Sequence, residues 1–537
     1  MQVAATALGG RDFEGQVTKE INGKTYILIG NEQQLRAIGS DKKVIGRINK
    51  VTQTCMRQGP LNYQWVDGTP SSEYAGDADL SDSDTLRDAG ASDHDSPLLT
   101  CTAVSANRTR TKYYGVGADG TQTDYSAANT GLTYSADANY LIFRDIDLSK
   151  NAADTNNTEW TPLMFSGTML GAVSNDGDTA ASLWKAVGAD GASVVHATAA
   201  RPVISHVVVN QKDMVSNVKG EQLDVSKQQG IGFFASITNK TVMNSSSLGS
   251  AGTAVVSNLK LQDVSVTNQA SESYIPPTLI GTLTSAVGGL LDLLLKALKL
   301  LTFGQVNLDL NLQGLLTLHK DNPSNLATGA FAGRIYGDTK VTDCEVADVS
   351  VSSVSRMTGG FVGYVEGATR YDAVSGIVGT LTNVLSKILG VIPFLGLGDL
   401  VNWLLSGTLG LNALIPVGYY NPVISNSSVN GFKKNVVIGN KNNPQAGGFV
   451  GAQIGAIIEN SSVTSTNGFT VRATQYAGGF AGISRNGNVG GLLNSLGIDL
   501  LSALRPQSLI ENSNLTVDGD GKVTVSATDY AGGFSGA

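Results

Sequence analysis

The chain has 537 residues, of which 15% are charged and 6% are aromatic, and it contains 64 glycines. A 41% apolar content is enough to bury a core, which argues against disorder, and a formal net charge of −8 without a Lys/Arg-rich run argues against nucleic acid as a partner. The length exceeds what one compact core usually holds, so an elongated fold is favoured.

The two ends of the chain carry no recognisable targeting segment. The start, MQVAATALGGRDFEG, lacks the basic residues and the long apolar run of a secretion signal, and the last residues, AGGFSGA, repeat part of a motif found further upstream. We therefore expect a segment of a longer protein, with any signal and anchor outside it. The three cysteines, Cys55, Cys101 and Cys344, have no metal-binding spacing, and whether Cys55 pairs with Cys101 stays open.

An N-terminal region, residues 1–139, is predicted to form an α/β cap that closes one end of the fold. Within it, YILIGNEQQLRAIG is typical of a strand followed by a short helix. Asn31 is the predicted N-cap and Gln34 completes a capping box, while Leu35 and Ile38 face inward. Such a cap would protect exposed strand edges from pairing with other chains.

The cap region also contains an acidic segment at about residues 66–97. Nine acidic residues meet a single arginine there, Arg87. We expect a flexible, solvated loop, because a run of like charges repels itself. The alternative is a metal site, although the ligand spacing of an EF-hand loop is missing. Its candidate ligands would be Asp77, Asp79, Asp82 and Asp84.

Two motifs then recur through the rest of the chain. The first is a variant of GGFxG, and its shortest separations are 30 and 31 residues. Its phenylalanines are Phe233, Phe331, Phe361, Phe449, Phe480 and Phe534. The second motif has six positions: an apolar residue, any residue, Asn or Asp, a small residue, any residue, and an apolar residue. Its Asn or Asp positions are Asn244, Asp343, Asn426, Asn460 and Asn512.

The repeats predict a mainly β fold. Short alternating runs of Val, Ile, Phe and Thr are typical of strands, and the basic unit has no helical period. A repeat of about thirty residues built from strands alone indicates a parallel β-helix, or β-solenoid, over residues 140–537. We expect it to be right-handed because crossovers between parallel strands generally are.

Stacking of the repeats assigns a role to each motif position. We expect the phenylalanines to form an inner column and the Asn or Asp residues to occupy left-handed corners. Cys344 replaces the usual serine after a corner and is read as a small core residue, with a reactive thiol as the alternative. Ile457 is expected to face inward. The glycines should mark a corner where a Cβ atom would clash or φ is positive, and they are Gly360, Gly448 and Gly479.

These units, GGFVG…IIENSSV and its copies, resemble the GLUG-motif repeats of bacterial surface and adhesin-like proteins over Tyr140 to Ala537. The segments YLIFRDIDLS and WTPLMFSGTMLG are similar to the lead-in that precedes such repeats. The resemblance implies a non-enzymatic, extracellular stalk or adhesin segment. It also implies anchoring to the cell wall or membrane through other regions, and a glycan or protein on a host or bacterial surface as ligand.

Three apolar insertions interrupt the repeats, at about residues 274–318, 371–420 and 487–506. Apolar residues at helical spacing predict amphipathic helices, which we expect to pack together as a side lobe. Docking of these helices into a lipid surface or a partner stays open, and a membrane span is less favoured because charges, proline and glycines interrupt the segments. The candidate partner surface consists of Leu290, Leu294, Leu301, Ile377, Leu381 and Ile388.

Parallel β-helices include polysaccharide-cleaving enzymes, so a carbohydrate-active or carbohydrate-binding protein is the alternative. Cleavage needs clustered carboxylates. Glu345, Glu459 and Glu511 align only in part and are expected to point outward. We expect the stacked Glu459 and Glu511 to be solvated turn residues without a stacked basic neighbour. His206 is expected at the surface or at an edge. The sequence therefore predicts no catalytic residue, no metal ligand and no cofactor.

Overall fold

The computed structural model describes residues 17–74, 100–116, 122–123, 129–151, 156–174, 185–195, 199–212, 217–218, 221–222, 230–238, 253–270, 326–373, 414–440, 442–487 and 507–537. These residues form a mainly β structure in which most sheets are parallel. The predicted fold class is confirmed at this level.

Sheet 1 is the largest sheet, and only its first two strands pair antiparallel. Ile458 is fully buried in it, whereas Ile457 is partly exposed, so the inward prediction for Ile457 is wrong by one residue. Side chains alternate between faces, and an error of one position therefore reverses the assignment. The strands, in sheet order, are Thr18–Ile21, Lys24–Ile29, Asn139–Ile142, Thr168–Gly171, Ala254–Ser257, Thr339–Thr342, Val423–Ser425, Ile457–Glu459 and Leu509–Glu511.

Sheets 2 and 3 follow sheet 1 along the chain and are parallel throughout. The strands of sheet 2 are Ile146–Asp147, Val203–Gln211, Lys260–Asn268, Glu345–Ser353, Ser428–Phe432, Ser462–Ser465 and Asn514–Val517. The strands of sheet 3 are Val437–Ile438, Phe469–Ala473 and Val523–Ala527. Alternate positions in these strands are buried, which explains the period-two apolar pattern of the sequence.

Sheets 4 and 5 hold the strands on either side of the GGFxG motif. The strands of sheet 4 are Gly230–Ile231, Ala327–Thr328, Met357–Gly359, Gln445–Gly447, Tyr476–Gly478 and Tyr530–Gly532. The strands of sheet 5 are Leu163–Phe165, Phe234–Thr238, Ala332–Tyr336, Val362–Glu366, Val450–Ile454 and Ala481–Arg485. Both sheets are parallel.

From residue 254 onward the chain visits the sheets in a fixed order. It runs through sheets 1, 2, 4 and 5 and then returns to sheet 1, with sheet 3 added after sheet 2 from residue 437. We call each such pass a unit. One continuous core of buried side chains extends from Val17 to Ala481. Its apolar surface is the main source of stability for the described part of the chain.

The N-terminal region contains the predicted helix at Glu32–Ala37. The Asn31 side chain accepts a hydrogen bond from the Gln34 backbone N–H at 2.8 Å, as expected of an N-cap. The Gln34 side chain accepts from the backbone N–H of Gly30 at 2.8 Å, whereas a capping box requires the N–H of Asn31. That part of the prediction is corrected. Leu35 and Ile38 are fully buried, as predicted.

The N-terminal region also contains an antiparallel sheet, which we call the N-terminal sheet. A disulfide joins Cys55 in its longest strand to Cys101, which answers the pairing question that the sequence left open. The four candidate metal ligands between Asp77 and Asp84 lie outside the described residues. The strands are Arg47–Arg57, Tyr63–Asp67, Ser71–Tyr74, Thr109–Val116 and Gln122–Thr123, and a 3-10 helix at Ala103–Ser105 precedes the fourth.

Four two-stranded antiparallel pairs complete the described structure. They are Lys43–Ile45 with Asn129–Thr133, Val173–Ser174 with Ala199–Ala200, Asn217–Val218 with Glu221–Gln222, and Ala368–Ala373 with Leu414–Tyr420. The last pair forms the two ends of the second predicted insertion, so the helical prediction is wrong at 371–373 and 414–420. Most residues of the insertions lie outside the described part of the chain. These include Leu290, Leu294, Leu301, Ile377, Leu381 and Ile388, so the partner surface stays a prediction.

Candidate functional site

The phenylalanines of the repeated motif form a stack of rings inside the core. Consecutive rings from Phe331 to Phe534 lie 4.7–4.8 Å apart, with interplanar angles of at most 11°. The first four rings are fully buried, and Phe534 packs against the core while partly exposed. This stack consists of Phe331, Phe361, Phe449, Phe480 and Phe534.

The arrangement of rings before Phe331 differs from the sequence prediction. The ring of Phe233 stacks on Trp160 at 4.6 Å, and the ring of Phe234 lies 5.3 Å from Phe331. The indole N–H of Trp160 donates to the Phe233 carbonyl at 2.8 Å. Sequence reasoning missed both Trp160 and Phe234. The signals that could have found them are the FF doublet and a tryptophan just before the first repeat.

The glycines before the phenylalanines are required by a close backbone approach. A Cβ atom on Gly360 would lie 2.0 Å from the carbonyl oxygen of Gly448, and one on Gly448 would lie 2.0 Å from that of Gly479. None of the three has a positive φ, so of the two expected reasons the steric one applies. The same approach recurs between Gly479 and Gly533, at 2.1 Å.

The corner positions adopt the left-handed conformation. Asp343, Asn426, Asn460 and Asn512 have φ values between 48° and 57°. Asn244 lies outside the described residues. In that unit the position in register with Asp343 is Asn258, with φ of 59°. Asn258 is therefore the described residue that is in line with the other corners.

The residue after each corner connects one unit to the next. The hydroxyl of Ser461 accepts from the backbone N–H of Ser427 at 3.3 Å, and the hydroxyl of Ser513 accepts from that of Ser461 at 3.2 Å. Each of these hydroxyls also donates to a carbonyl two residues earlier, at 2.9 Å. A small hydroxyl side chain thus satisfies buried backbone groups of two units.

Two substitutions of a corner residue should distinguish the stability lost through backbone strain from the stability lost with the side chain itself. Asn460→Ala is expected to destabilise the chain by about 1 kcal/mol because alanine is strained at positive φ. Asn460→Gly should be close to neutral because glycine adopts this conformation freely. Urea unfolding followed by circular dichroism measures both variants. Equal losses in the two variants would contradict the left-handed corner.

Cys344 occupies the serine position after its corner and is fully buried. Its backbone N–H donates to the Ser427 hydroxyl at 3.3 Å, and its thiol lies 3.2 Å from the Thr342 carbonyl oxygen. Burial raises the pKa of the thiol to about 12. A reactive cysteine needs an accessible thiolate near neutral pH, so the geometry favours the reading as a core residue.

Thiol titration checks both cysteine assignments. The native chain should show no thiol that reacts with Ellman's reagent, because Cys344 is buried and Cys55 is bonded to Cys101. Unfolding without reductant should expose one thiol per chain, and unfolding with reductant should expose all three cysteines. Three thiols in the unreduced, unfolded chain would show that the disulfide is wrong.

The three glutamates that the motif alignment grouped do not lie together. Glu459 and Glu511 are opposite each other in sheet 1. Glu345 lies in sheet 2, between Lys260 and Ser428. Arg201 donates to Glu345 at 2.8 Å and the Lys260 ammonium lies 3.1 Å from it, so this glutamate has two basic neighbours. Arg201 contacts one carboxylate oxygen and Lys260 contacts the other.

His206 lies on the outer surface of sheet 2, as expected. It has φ of 57° and lies between the paired residues Ser205 and Val207, opposite Asp263, which also has a positive φ. Its Nδ1 atom lies 2.8 Å from Asp147 and its Nε2 atom 3.7 Å from Asp263. The ammonium of Lys433 is 2.6 Å from Asp263. These exposed side chains bridge the outer sides of neighbouring units.

The stability of this contact should depend on pH. Partial burial alone would raise the pKa of Asp147. Hydrogen bonds from Ser149 and the contact with His206 outweigh this effect, so the pKa of Asp147 is lowered. A lowered pKa in the folded state contributes stability above the unfolded pKa of about 3.9, and that stability is lost as the pH falls. Asp147→Asn should cost about 0.5 kcal/mol or less at pH 7, because solvent screens exposed pairs, and progressively less as the pH falls below the unfolded pKa. Urea midpoints across this range measure the difference, and a pH-independent difference would contradict it.

A buried polar network between sheets 2 and 4 was not predicted. The hydroxyls of Ser353 and Ser355 lie 2.9 Å and 3.0 Å from that of Thr328. The side-chain N–H of Asn443 donates to the Thr358 hydroxyl at 3.0 Å. All five side chains are at most 4% exposed. Short polar residues at strand ends read as turn residues in a sequence, so nothing in the pattern marks them as buried.

Comparison with protein-family models, with curated proteins and with solved structures finds no match to the chain. The GLUG resemblance therefore stays a prediction from the motifs. Within the part of the chain that the structure describes, no three His, Cys, Asp or Glu side chains are grouped so as to hold a metal ion. No helix among these residues is long and apolar enough to cross a membrane.

Proposed function

We propose that the parallel sheets form a right-handed β-helix in which each unit is one turn. On this proposal residues 1–139 cap one end, and the turns between residues 140 and 537 extend from that cap. The in-register pairing of equivalent positions in successive units, on sheets 1, 2, 4 and 5, carries this proposal. Ring distances of 4.7–4.8 Å along the phenylalanine stack match the spacing of neighbouring strands.

The chain then acts as a non-enzymatic stalk or adhesin segment of a bacterial cell-surface protein with GLUG-like repeats. A stack of equivalent turns grows in one direction and gives a rigid spacer, with a large lateral surface for a glycan or protein ligand. The outward positions of the last two strands of sheet 2 hold uncharged polar residues, which suit contact with a ligand better than acid–base chemistry. Examples are the pair Ser462 and Asn514 and the pair Thr464 and Thr516.

The disulfide between Cys55 and Cys101 supports an extracellular location. Disulfides persist in oxidising environments outside the cytoplasm and are rare in the reducing cytoplasm. The low charge content and the Ser, Thr and Asn surface rows are compatible with this location.

A one-turn deletion tests the β-helix. Ser425 and Glu459 occupy the same position in successive units, so deletion of residues 426–459 joins Ser425 to Asn460 and removes one turn. The shortened chain should retain a cooperative thermal transition and its β-sheet circular dichroism signal. The matched control, deletion of residues 443–459, removes half a turn and should not fold. An unfolded one-turn deletion would overturn the proposed architecture.

Two assays test the function. Antibody against the purified chain should label intact source cells, and recovery only from the cytosol with Cys55 and Cys101 reduced would refute the surface location. Incubation with a panel of plant and microbial polysaccharides should release no new reducing ends. Turnover of any polymer would replace the structural function with the carbohydrate-active alternative.

A further inference from the structure

We infer that the last unit, residues 507–537, is a docking site for an extended peptide segment of a partner protein, and that this segment carries a GGFxG motif. The site is the side of the unit that points away from the preceding unit, and we call it the open face. The inference goes beyond the proposed stalk or adhesin role, because it concerns this face and not the lateral surface of the stack.

Apolar side chains that are covered in the preceding unit are uncovered at the open face. Four positions of the preceding unit are fully buried, whereas the paired positions of the last unit are partly or largely exposed. A segment that covered these side chains would remove apolar surface from water, which favours binding. The pairs are Ile458 with Ile510, Val463 with Leu515, Val471 with Val525, and Ala477 with Ala531.

The open face also presents backbone N–H groups whose equivalents are bonded. The N–H of Asn460 donates to the Glu511 carbonyl at 3.0 Å, and the N–H of Phe480 donates to the Phe534 carbonyl at 2.8 Å. The corresponding groups of the last unit have no acceptor among the residues that the structure describes. A partner that supplies carbonyl oxygens would complete the pattern. These N–H groups belong to Asn512, Ser513, Gly533 and Phe534.

Gly533 indicates what part of a partner approaches this face. A Cβ atom on Gly448 or Gly479 would lie 2.0–2.1 Å from the carbonyl oxygen of the equivalent glycine in the next unit. A Cβ atom on Gly533 would meet no atom within 4 Å, and its φ is not positive. Contacts within the described chain therefore do not require glycine here. A glycine carbonyl of a docked segment would require it, as the next unit does at the two earlier positions.

The ring of Phe534 specifies the side chain that follows this glycine. Phe449 and Phe480 each lie between two stacked rings, whereas the described chain stacks Phe534 on Phe480 alone, at 4.7 Å. A phenylalanine one strand spacing further would cover the exposed side of the Phe534 ring. The order Gly-Gly-Phe places a carbonyl next to Gly533 and a ring next to Phe534 at the same time. The repeated motif is therefore the sequence that fits the open face.

Four strand edges at the open face allow such a segment to bind by strand addition. An extended peptide can pair with an unpaired edge through its backbone, while its side chains fill adjacent sites. None of the four strands contains proline or lysine, which commonly protect an exposed edge from pairing. These strands are Leu509–Glu511, Asn514–Val517, Val523–Ala527 and Tyr530–Gly532.

The charges of the last unit disfavour a second copy of the chain as the occupant. The described unit has four exposed carboxylates and one exposed ammonium, so two open faces would repel each other. The opposite end of the core is not available either, because the helix Glu32–Ala37 packs Leu35 and Ile38 into it. A separate segment without an excess of acidic residues is favoured. The charged residues are Glu511, Asp518, Asp520, Lys522 and Asp529.

Fluorescence anisotropy with a labelled peptide of residues 456–482 tests the inference on the full chain. This peptide has the GGFxG motif, one Glu and one Arg, and it should bind. Gly533→Ala should weaken binding by about ten-fold or more, because the new Cβ atom occupies the place of the peptide carbonyl. This variant should still fold, since its Cβ atom contacts nothing within the described chain. A Phe480→Ala peptide should also bind about ten-fold more weakly.

Two further measurements locate the peptide and identify the occupant. Met56→Ala is the matched control, since Met56 is 46% exposed in the N-terminal sheet, and it should bind like the unmodified chain. Hydrogen exchange should show that the peptide slows exchange of the N–H groups of Asn512 and Phe534. Light scattering of the chain alone should give the mass of a monomer.

Any of four results would overturn the inference. They are no binding of the peptide, equal binding by the Gly533→Ala variant, equal binding of the Phe480→Ala peptide, and a dimer of the chain alone that Gly533→Ala dissociates. The last result would make a second copy the occupant. Cell-surface labelling and the polysaccharide assay do not involve the open face, so this inference and the proposed function can fail independently.

Discussion

Replacing Gly448 with alanine should be among the most destabilising substitutions in the described part of the chain. A Cβ atom at this position would lie 2.0 Å from the carbonyl oxygen of Gly479 in the next unit. Backbone atoms on both sides must move to relieve this contact, which would disturb the hydrogen bonds between the two units. We expect the free energy of unfolding to fall by about 3 kcal/mol, as judged by urea unfolding.

Gly533 provides the matched control for this substitution. It occupies the same motif position one unit beyond Gly479, and a Cβ atom there would meet no atom within 4 Å. Gly533→Ala should therefore change the free energy of unfolding by about 0.5 kcal/mol or less. If both variants lose the same stability, the close approach between units is not the reason for the glycine.

The second large effect is expected for Phe361→Ala. The Phe361 ring is fully buried between Phe331 and Phe449, with centroid distances of 4.7 Å on both sides. Removing it leaves a cavity and two rings without their stacking partner. Loss of a buried phenylalanine costs about 3–5 kcal/mol, and we expect a value in this range from urea unfolding.

Two further variants establish that the cost comes from the buried ring. Phe361→Leu fills most of the volume and should cost about 1.5 kcal/mol. Tyr530→Ala removes an aromatic ring that also stacks, on Tyr476, but that is 58% exposed, and it should cost less than about 1 kcal/mol. A Phe361→Ala variant as stable as Tyr530→Ala would refute the inner stack.

The repeat was enough to predict a mainly β structure with parallel sheets. Units of equal length can place equivalent residues side by side only if their strands run in the same direction. The phase of a strand was harder to predict, because the adjacent Ile457 and Ile458 fit either face equally well. Asn258 was missed for a similar reason, since it and Asn244 both follow short apolar runs in the sequence.

Contacts between distant residues were beyond the reach of the sequence. Arg201 and Glu345 are 144 positions apart, and only the register of sheet 2 brings them together. The pairing of Cys55 with Cys101 depends on tertiary structure in the same way, because the fold of the N-terminal sheet brings these two residues together. Gln53 and Tyr114 both donate hydrogen bonds to Asp67 from other strands of the N-terminal sheet, and no sequence motif connects these three residues.

The covalent bond between Cys55 and Cys101 has a consequence for proteolysis. A single cut anywhere between these two residues leaves both pieces joined, so the chain should migrate as one species until it is reduced. Trp65 and Asp67 precede residues 75–99, and Tyr114 follows them. Cleavage within that interval would therefore leave Trp65, Asp67 and Tyr114 in a single molecule.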